Sequence, residues 1–284
     1  MLRSLGCNPL RGHKIVPFYP NAGFRHWRSS CEALQTASRQ SFASWTGNAS
    51  QDELMIKDEC ILVDESDAVT GHASKYDSHR FVDGQPHGLL HRAFSVFLFD
   101  DQDRLLLQQR AASKITFPEV WTNTCCSHPL HGYSPTEVDT PKDVASGQVP
   151  GTKRAARRKL EHELGIPPHQ IPLDRLQYLT RLHYCAGDTD VSGKPTGWGE
   201  QEMDYILFIR AQVDLKPNPE EVMDTRYVTQ AELAEMMDPA SGLRWSPWFR
   251  IIATHFLPGW WHGLEAACSG SGGHQDLASI HRLG

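Results

Sequence analysis

The sequence predicts an α+β fold, in which a mixed β-sheet packs against helices. Three observations support this fold class. Segments with strand character stand both before and after one clear helix at residues 152–164, strands and helices do not alternate regularly, and 39% of the residues are apolar. Without regular alternation, a doubly wound parallel sheet is disfavoured. At 284 residues, the chain is long enough to bury one large core or two small ones.

Five segments have the β-branched, aromatic or alternating apolar residues that are typical of strands. They are residues 59–64, 93–99, 104–109, 176–183 and 203–211. Asp100 and Asp101 lie between the second and third of these segments. Because such residues favour a tight turn, we expect the two flanking strands to form a hairpin.

The clearest helix is predicted at residues 152–164. Three apolar residues recur at every fourth position and so share one face: Ala156, Leu160 and Leu164. Thr152 is suited to cap the first turn, and Gly165 is suited to end the helix. Two shorter helices are predicted at residues 231–237 and 247–256.

The first 50 residues differ in charge from the rest of the chain. The whole chain carries a net charge of −6, from 28 Lys and Arg against 34 Asp and Glu. Residues 1–50 contain six basic residues and one acidic residue, a charge of +5, so the remaining 234 residues carry −11. A segment rich in Arg and Ser and poor in acidic residues is typical of an organelle transit peptide. Its Ser and small residues lean towards a plastid, and composition leaves a mitochondrion open as an alternative. The other alternative is a disordered basic tail on a cytoplasmic protein.

Three regions are therefore predicted along the chain. Residues 1–50 form the transit peptide and are expected to be disordered. Residues 51–267 form a single catalytic domain, in which the stretch 133–151, rich in Pro, Thr and Asp, is a surface insertion. Residues 268–284 begin with a Gly/Ser run and are expected to form a flexible tail.

Composition disfavours several classes of protein. A net negative charge argues against a nucleic-acid-binding surface. No apolar run approaches the roughly 20 residues that span a bilayer. The seven cysteines are an odd number with irregular spacing and no Cys-x-x-Cys pair, so neither a disulfide framework nor a zinc ribbon is indicated. A reducing compartment is the simpler interpretation.

The segment TNTCCSHP, at residues 122–129, has the strongest chemical character in the chain. It places Cys125, Cys126 and His128 within four residues in a polar, turn-prone setting. A cysteine near a positive group or a metal is more reactive than a packed one, because its thiolate is stabilised. The segment therefore indicates a reactive thiol.

Five other side chains suggest a metal site. The imidazoles of His79, His91 and His128 come from different segments, and Glu200 and Glu202 are two positions apart. In a strand, residues two apart face the same side, so these two carboxylates would converge. Three nitrogens and two oxygens suit a divalent ion such as Zn²⁺ or Mn²⁺. Each histidine alone, among 15, has a surface or core position as its alternative.

The predicted helix resembles the Nudix box, Arg-Glu-aliphatic-x-Glu-Glu-x-Gly-aliphatic. Residues 158–166 read RKLEHELGI, so Lys159 and His162 replace two glutamates and Glu163 remains. Carboxylates on such a helix hold Mg²⁺ against a diphosphate. These substitutions argue against a Nudix hydrolase, which gathers several Mg²⁺ ions. The alternative is a surface helix on which Lys159 and Glu163 form an i, i+4 ion pair.

As a whole, the chain resembles the type I isopentenyl-diphosphate Δ-isomerases, which are Nudix-fold enzymes without hydrolase activity. The resemblance extends from about Cys60 to Trp261. It rests on five segments in order: GLLHRAFS at 88–95, TNTCCSHP at 122–129, ELG at 163–165, WGEQEMDY at 198–205 and SPWF at 246–249. It implies a Nudix-type mixed β-sheet sandwiched by helices, with the core at about residues 89–250, and a monomer. It also implies isomerisation of isopentenyl diphosphate to dimethylallyl diphosphate, in isoprenoid precursor biosynthesis.

The resemblance also implies roles for particular residues. Cys126 and Glu202 correspond to the two catalytic residues, while Cys125 has no assigned role. The metal ligands are His79, His91, His128, Glu200 and Glu202. The substrate-binding residues are Lys75, Arg110, Lys114 and Ser127 at the diphosphate, and Tyr184 and Trp248 at the hydrocarbon end. Glu163 corresponds to the acid that helps hold a diphosphate-bound Mg²⁺; the His/Glu site would take one further divalent ion, Zn²⁺, Mn²⁺ or Mg²⁺.

Three other functions compete with this interpretation. A Nudix hydrolase would cleave the diphosphate. A non-catalytic binding module would use the His/Glu set only to hold a structural zinc ion. A cysteine hydrolase would pair Cys126 with His128, although residues two apart in a chain seldom align as nucleophile and base.

Overall fold

The computed structural model describes residues 50–81, 88–271 and 273–283. Of the predicted transit peptide, residues 1–49 lie outside these ranges and only residue 50 lies within them. Within them, no helix has both the length and the apolar character that crossing a membrane requires.

Ten strands and eight α-helices make up the described chain. The strands are β1 (Glu59–Val63), β2 (Val69–Ser74), β3 (His91–Phe99), β4 (Leu105–Arg110), β5 (Trp121–Thr122), β6 (Cys125–Ser127), β7 (Gln177–Thr189), β8 (Pro195–Arg210), β9 (Val222–Val228) and β10 (Ile280–Leu283). The helices are α1 (Gln51–Lys57), α2 (Lys75–His79), α3 (Pro141–Ala145), α4 (Pro150–Leu164), α5 (Gln230–Met237), α6 (Pro247–His255), α7 (Leu257–His262) and α8 (Leu264–Ser269). Short 3₁₀ helices occupy Pro168–Gln170, Leu173–Arg175 and Pro239–Ser241.

The strands form one mixed sheet. Its main path runs β10-β7-β8-β3-β1-β2, and β4, β5, β6 and β9 join it through β3 and β4. Strand β8 pairs parallel with β3 and antiparallel with β7. The predicted hairpin is present, since β3 and β4 are antiparallel at Phe99 and Leu105. The predicted α+β class is therefore confirmed.

Strand β3 lies at the centre of the sheet, and every one of its residues is buried. Successive side chains point to opposite faces. Phe97 packs into an apolar cluster with Trp248 of α6, whereas Val96 packs into a second cluster with Leu160 of α4. Helices therefore cover both faces of the sheet, as the resemblance implied.

Helix α4 begins at Pro150, two residues before the predicted start. Thr152 is not its N-cap. Instead, the Asp139 carboxylate accepts hydrogen bonds from the backbone N–H groups of Gly151 (2.6 Å) and Thr152 (2.8 Å). The predicted surface insertion is also wrong in this part, because Asp139 and Glu137 are buried. Local sequence does not show a cap that is contributed from another segment.

The prediction of a flexible tail at residues 268–284 is wrong for the described part of that segment. Strand β10 pairs parallel with β7. Before it, the Gln275 side chain donates to the Tyr178 carbonyl (2.9 Å), and the Asp276 N–H donates to the Leu179 carbonyl (2.8 Å). Because β10 pairs with a strand about 100 residues earlier, its local sequence does not indicate the pairing. The Gly/Ser run before it indicates flexibility instead.

Candidate active site

The five predicted metal ligands come together at one end of the central strands. His79 ends α2, His91 begins β3, and His128 follows β6. Glu200 and Glu202 lie on β8, where the parallel pairing places Glu202 beside His91. All five are buried, and one ligand atom from each lies within 4.8 Å of the others.

The ligand atoms face one another closely. His79 Nε2 lies 2.8 Å from Glu200 Oε2, and His128 Nε2 lies 2.9 Å from Glu202 Oε1. His91 Nε2 lies between the two carboxylates, 4.0 Å from Glu200 Oε2 and 3.9 Å from Glu202 Oε1. The site thus offers three nitrogens and two carboxylates to a single point.

Backbone carbonyls fix two of the imidazole tautomers. The Nδ1 atoms of His79 and His91 lie 2.6 and 2.7 Å from the carbonyls of Lys75 and Leu89. A carbonyl only accepts, so each Nδ1 carries the proton and, in the neutral ring, each Nε2 presents a lone pair. Burial, reinforced by His79, lowers the pKa of His91 to about 3, so its ring is neutral.

The buried lone pairs of this cluster have no protein donor among the described residues. His79 Nε2, His91 Nε2 and Glu200 Oε2 are all buried without a hydrogen-bond partner. Leaving such atoms unsatisfied is costly. A divalent cation at their common point satisfies all of them and balances the carboxylate charge, so the residues fit a metal site.

The pKa values of the two carboxyl groups are shifted in opposite directions. Burial acts to raise the pKa of Glu200, but His79 and His91 hold that pKa at about 2. Burial, the neighbouring Glu200 and Asp204 raise the pKa of Glu202 well above its usual range. Tyr184 donates its hydroxyl hydrogen bond to the Glu202 carboxylate. Paired groups with opposed pKa shifts are typical of an acid–base site.

Only one of the two adjacent thiols faces this site. Cys126 lies beside Ser95 of β3 and lines a small cavity together with Glu202. Cys125 packs into the apolar cluster on the other face of the sheet, and its S–H group donates to Oε2 of Glu163 (3.4 Å), a residue that also lines the cavity. Burial raises the pKa of Cys126 to about 12, although the Arg110 guanidinium, 4.0 Å from Sγ, opposes this shift. The Cys126 thiol therefore keeps its proton at neutral pH.

Cationic side chains form another part of the cavity wall. Lys75, Arg110 and Lys114 line it, together with Ser127. Arg110 Nε and Nη2 donate to the backbone carbonyls of residues 117 (2.9 Å) and 116 (2.8 Å), which fixes the guanidinium. Lys114 Nζ donates to Glu221 Oε2 at 2.6 Å. This wall suits an anion such as a diphosphate.

Glu163 lines the same cavity but lies outside the five-ligand cluster. Its Oε1 is 3.2 Å from Lys159 Nζ, so the i, i+4 ion pair that the sequence left open is present. Lys159 Nζ also lies 4.0 Å from Glu221 Oε1. The buried ammonium of Lys159 thus lies between two acids, Glu163 on the same helix and Glu221 outside it. Burial opposes the shift, but Lys159 lowers the pKa of Glu163, which is anionic.

Aromatic side chains close the remaining end of the cavity. The ring centroids of Tyr184 and Trp248 are 6.3 Å apart, and Phe117 meets Trp248 edge-on at 5.3 Å. Trp248 Nε1 donates to Asn123 Oδ1 at 3.2 Å, which sets the angle of the indole. The cavity is therefore polar at one end and aromatic at the other.

Three residues of the site were not predicted from the sequence. The Thr116 hydroxyl donates to Glu200 Oε1 (3.2 Å), Glu221 holds Lys114, and Asn123 orients Trp248. Asn123 lies inside the TNTCCSHP segment, so the sequence could have indicated it as a site residue. Thr116 and Glu221 lie outside regular strands and helices, where no periodicity marks them.

Known proteins are similar in sequence to this chain over most of its length. The NUDIX domain family model matches residues 89–249. Isopentenyl-diphosphate Delta-isomerase II of Clarkia breweri is 46% identical over 240 residues, 83% of this chain and 78% of that protein. Isopentenyl-diphosphate delta-isomerase IDI1 of Gibberella zeae is 49% identical over 217 residues, 76% of this chain and 81% of that protein. The chloroplastic isopentenyl-diphosphate Delta-isomerase II of Arabidopsis thaliana is 45% identical over 240 residues, 83% of this chain and 79% of that protein.

These matches agree with the geometry of the cavity. The family model covers more than half of the chain, and it includes the cationic wall at Arg110 and both thiols. The relatives share nearly half of their residues with this chain across three quarters or more of their length. The chain belongs to the isopentenyl-diphosphate Delta-isomerase family of NUDIX-domain proteins.

Proposed function

We propose that the protein isomerises isopentenyl diphosphate to dimethylallyl diphosphate in isoprenoid precursor biosynthesis. The names of its relatives state an isopentenyl-diphosphate isomerase activity. The observation that carries the proposal is the pairing of Cys126 and Glu202 on one cavity, between a cationic wall and an aromatic end. The chemistry of this lining suits a short apolar chain attached to a diphosphate.

The proposed reaction adds a proton at one end of an allylic unit and removes one from the other. A plain alkene is a very weak base, so its protonation leads to a tertiary, carbocation-like state and requires a preorganised acid. Strands β6 and β8 both pair with β3, on its two sides, and bring Cys126 and Glu202 to the same face. A protonated thiol and a carboxyl group of raised pKa are both suited to holding and moving a proton.

We propose that His79, His91, His128, Glu200 and Glu202 hold one divalent ion, Zn²⁺, Mn²⁺ or Mg²⁺. When bound, this ion supplies positive charge that fixes the geometry of Glu202 and tunes its proton affinity. Glu163 is anionic and lines the cavity. Because Mg²⁺ is usually held by one or two carboxylates together with substrate phosphates, Glu163 suits a Mg²⁺ ion carried in on the diphosphate.

The remaining residues of the cavity orient the substrate. Lys75, Arg110, Lys114 and Ser127 bind the diphosphate, which supplies binding energy for orientation. Tyr184 and Trp248 surround the hydrocarbon end. The indole face stabilises a nearby cation by about 2 kcal/mol when water is excluded, which is about thirtyfold in rate. Water exclusion also protects the cation, which would otherwise be trapped as an alcohol.

The experiment that tests this proposal is proton NMR of the purified protein with isopentenyl diphosphate and Mg²⁺ in heavy water. We expect deuterium incorporation and the allylic methyl signals of dimethylallyl diphosphate. An unchanged spectrum would contradict the proposal. Release of inorganic phosphate or a monophosphate would instead support the Nudix hydrolase alternative.

We further propose that residues 1–50 direct the protein to plastids and that the mature enzyme is a monomer. The relatives from Arabidopsis thaliana and Cannabis sativa are named chloroplastic. The transit-peptide composition of this segment supports the same location. A fluorescent fusion of residues 1–50 that stays in the cytosol would contradict it, and light scattering of the purified protein measures the oligomeric state.

A further inference from the structure

The C-terminal strand β10 lies directly beside the aromatic end of the cavity. It pairs parallel with β7, and this register places Leu283 next to Tyr184. Tyr184 is the residue whose hydroxyl donates to Glu202. The segment that the sequence predicted to be a flexible tail therefore contacts the strand that carries part of the proposed active site.

Alternation along β10 fixes the direction of the Leu283 side chain. His281, two positions earlier, meets the Phe256 ring edge-on at 5.3 Å, and Leu283 packs into the same aromatic cluster. Arg282 points the other way, where Nη1 lies 3.1 Å from His183 Nδ1 and Nη2 donates to the Glu65 carbonyl (3.2 Å). Leu283 is therefore half-buried and faces helix α6.

Leu283 borders a second, small cavity behind the aromatic pair. This narrow gap has no room for a water molecule and is lined by Leu182, Tyr184, Trp248, Ile251, Ile252 and Leu283. Tyr184 and Trp248 also line the larger cavity that holds Cys126. The two rings thus form a partition, with the reaction cavity on one side and Leu283 on the other.

Hydrogen bonds connect the segment before β10 to the core of the protein. Arg181 Nη2 donates to the carbonyls of Leu277 (3.2 Å) and Ala278 (3.3 Å). The same guanidinium donates through Nη1 to the buried Asp67 (3.0 Å). Leu283 is therefore presented by a strand that is anchored to the core through a buried ion pair.

We propose that Leu283 is a positioning residue of the active site, which supports the Tyr184–Trp248 partition from behind and keeps water out of the reaction cavity. The inference rests on the proposed isomerase function. With this support, Tyr184 keeps its hydroxyl on Glu202 and Trp248 keeps its ring against the hydrocarbon. The strand thereby contributes to product selection as well as to folding.

The consequence of losing this support follows from carbocation chemistry. A proton added to the terminal methylene carbon leaves positive charge on the neighbouring tertiary carbon. In the isomerisation, a base removes a proton from the adjacent methylene and the new double bond forms. If water reaches the cation, its oxygen forms a C–O bond to the tertiary carbon and gives up one proton to the base. The product is then a tertiary alcohol diphosphate, heavier than the substrate by one water molecule.

The test compares Leu283→Ala with Ile280→Ala. Ile280 is the matched control, since it lies on the same strand but packs into the cluster on the other face of the sheet. Each variant is incubated with isopentenyl diphosphate and Mg²⁺, and products are identified by proton NMR and mass spectrometry. We expect Leu283→Ala to lower kcat about tenfold through misplacement of the reacting groups and to release the tertiary alcohol. Ile280→Ala should retain the parent kcat and form no alcohol.

Equal kcat and product ratios for the two variants would overturn the proposal. If Leu283→Ala does not fold, Leu283→Val carries the same test with a smaller change. If the parent protein does not isomerise the substrate, the proposed function fails and a different readout decides the role of Leu283. That readout is acrylamide quenching of Trp248 emission, obtained as the difference between each protein and its Trp248→Phe derivative. Greater quenching in Leu283→Ala than in Ile280→Ala supports the partition, and equal quenching overturns it.

Discussion

The Nε2 atom of His79 lies 2.8 Å from Oε2 of Glu200, although the Nδ1 atom of the same ring already faces the Lys75 carbonyl. In the neutral ring, two lone pairs therefore meet inside the protein, with His91 Nε2 nearby. Positive charge between the atoms, from a proton on Nε2 or from a divalent cation, satisfies such an arrangement. The convergence of His91 and Glu202 on the same point favours the cation.

A first prediction concerns this metal. Replacing Glu200 by Gln should lower metal affinity by at least about 10–100-fold, because one anionic ligand is lost. Affinity is measured by competition with a chromophoric chelator. Glu161→Gln, an exposed carboxylate on α4, is the control and should retain the parent affinity. Saturation with metal at about 100 times its dissociation constant should stabilise the parent protein by about 2.7 kcal/mol. Equal affinities for the two variants would contradict the metal site.

A second prediction concerns pH. Burial lowers the pKa of Lys114 to about 8, assisted by Arg110, Lys75 and Lys159 and opposed by Glu221. The ammonium is therefore charged below about pH 8 and becomes neutral above it. Because a diphosphate needs the charged form, kcat/KM for isopentenyl diphosphate should fall as the pH rises through about 8.

The variant Lys114→Arg separates this effect from other titrations. A guanidinium stays charged across the whole range, so the fall near pH 8 should disappear from the kcat/KM profile. If the fall persists unchanged in Lys114→Arg, another group causes it.

A third prediction concerns the buried charges on α4. Lys159 compensates both Glu163 and Glu221, at 3.2 and 4.0 Å. Lys159→Ala leaves these carboxylates less compensated and should lower the free energy of unfolding by about 3–5 kcal/mol. Urea denaturation measures the change. Lys142, exposed on α3, provides the control, since Lys142→Ala should change stability by less than about 0.5 kcal/mol. A similar small effect at Lys159 would show that this ion-pair cluster contributes little.

A fourth prediction concerns the aromatic end of the cavity. Trp248→Leu removes the ring face and should lower kcat about thirtyfold, which corresponds to about 2 kcal/mol of cation–π stabilisation. Trp248→Phe keeps a ring face and should lose less. Trp245 stacks on Phe249 at 5.1 Å in the same cluster but does not line the cavity. Trp245→Leu should therefore reduce stability and leave kcat near the parent value. If Trp245→Leu lowers kcat as much as Trp248→Leu does, the result argues against a cation–π role for Trp248.

Features with a local signature were predictable from the sequence. Helix α4 has a four-residue apolar repeat and ends at Gly165, which adopts the left-handed conformation with φ of 64°. Glu200 and Glu202 are two apart, so a strand places both on one side. The periodicity of helices and strands explains these successes.

Features that depend on contacts between distant segments were not predictable. Asp139 caps α4 from 11 residues before its first residue, and Lys114 pairs with Glu221 across 107 positions. Strand β10 follows a Gly/Ser run that indicates flexibility, yet β7 and Arg181 hold it in the sheet. Tertiary contacts decide these outcomes, and a single sequence shows only their separate members.

We expect Cys126, and not Cys125, to take part in proton transfer with Glu202. Cys126 lines the cavity, whereas Cys125 is buried in the apolar cluster on the other face of the sheet. The most direct measurement is the rate of dimethylallyl diphosphate formation, followed by proton NMR in heavy water, for Cys126→Ser and Cys125→Ser. We expect Cys126→Ser to lose nearly all turnover and Cys125→Ser to keep most of it. Turnover that survives in Cys126→Ser but is lost in Cys125→Ser would contradict this role of Cys126.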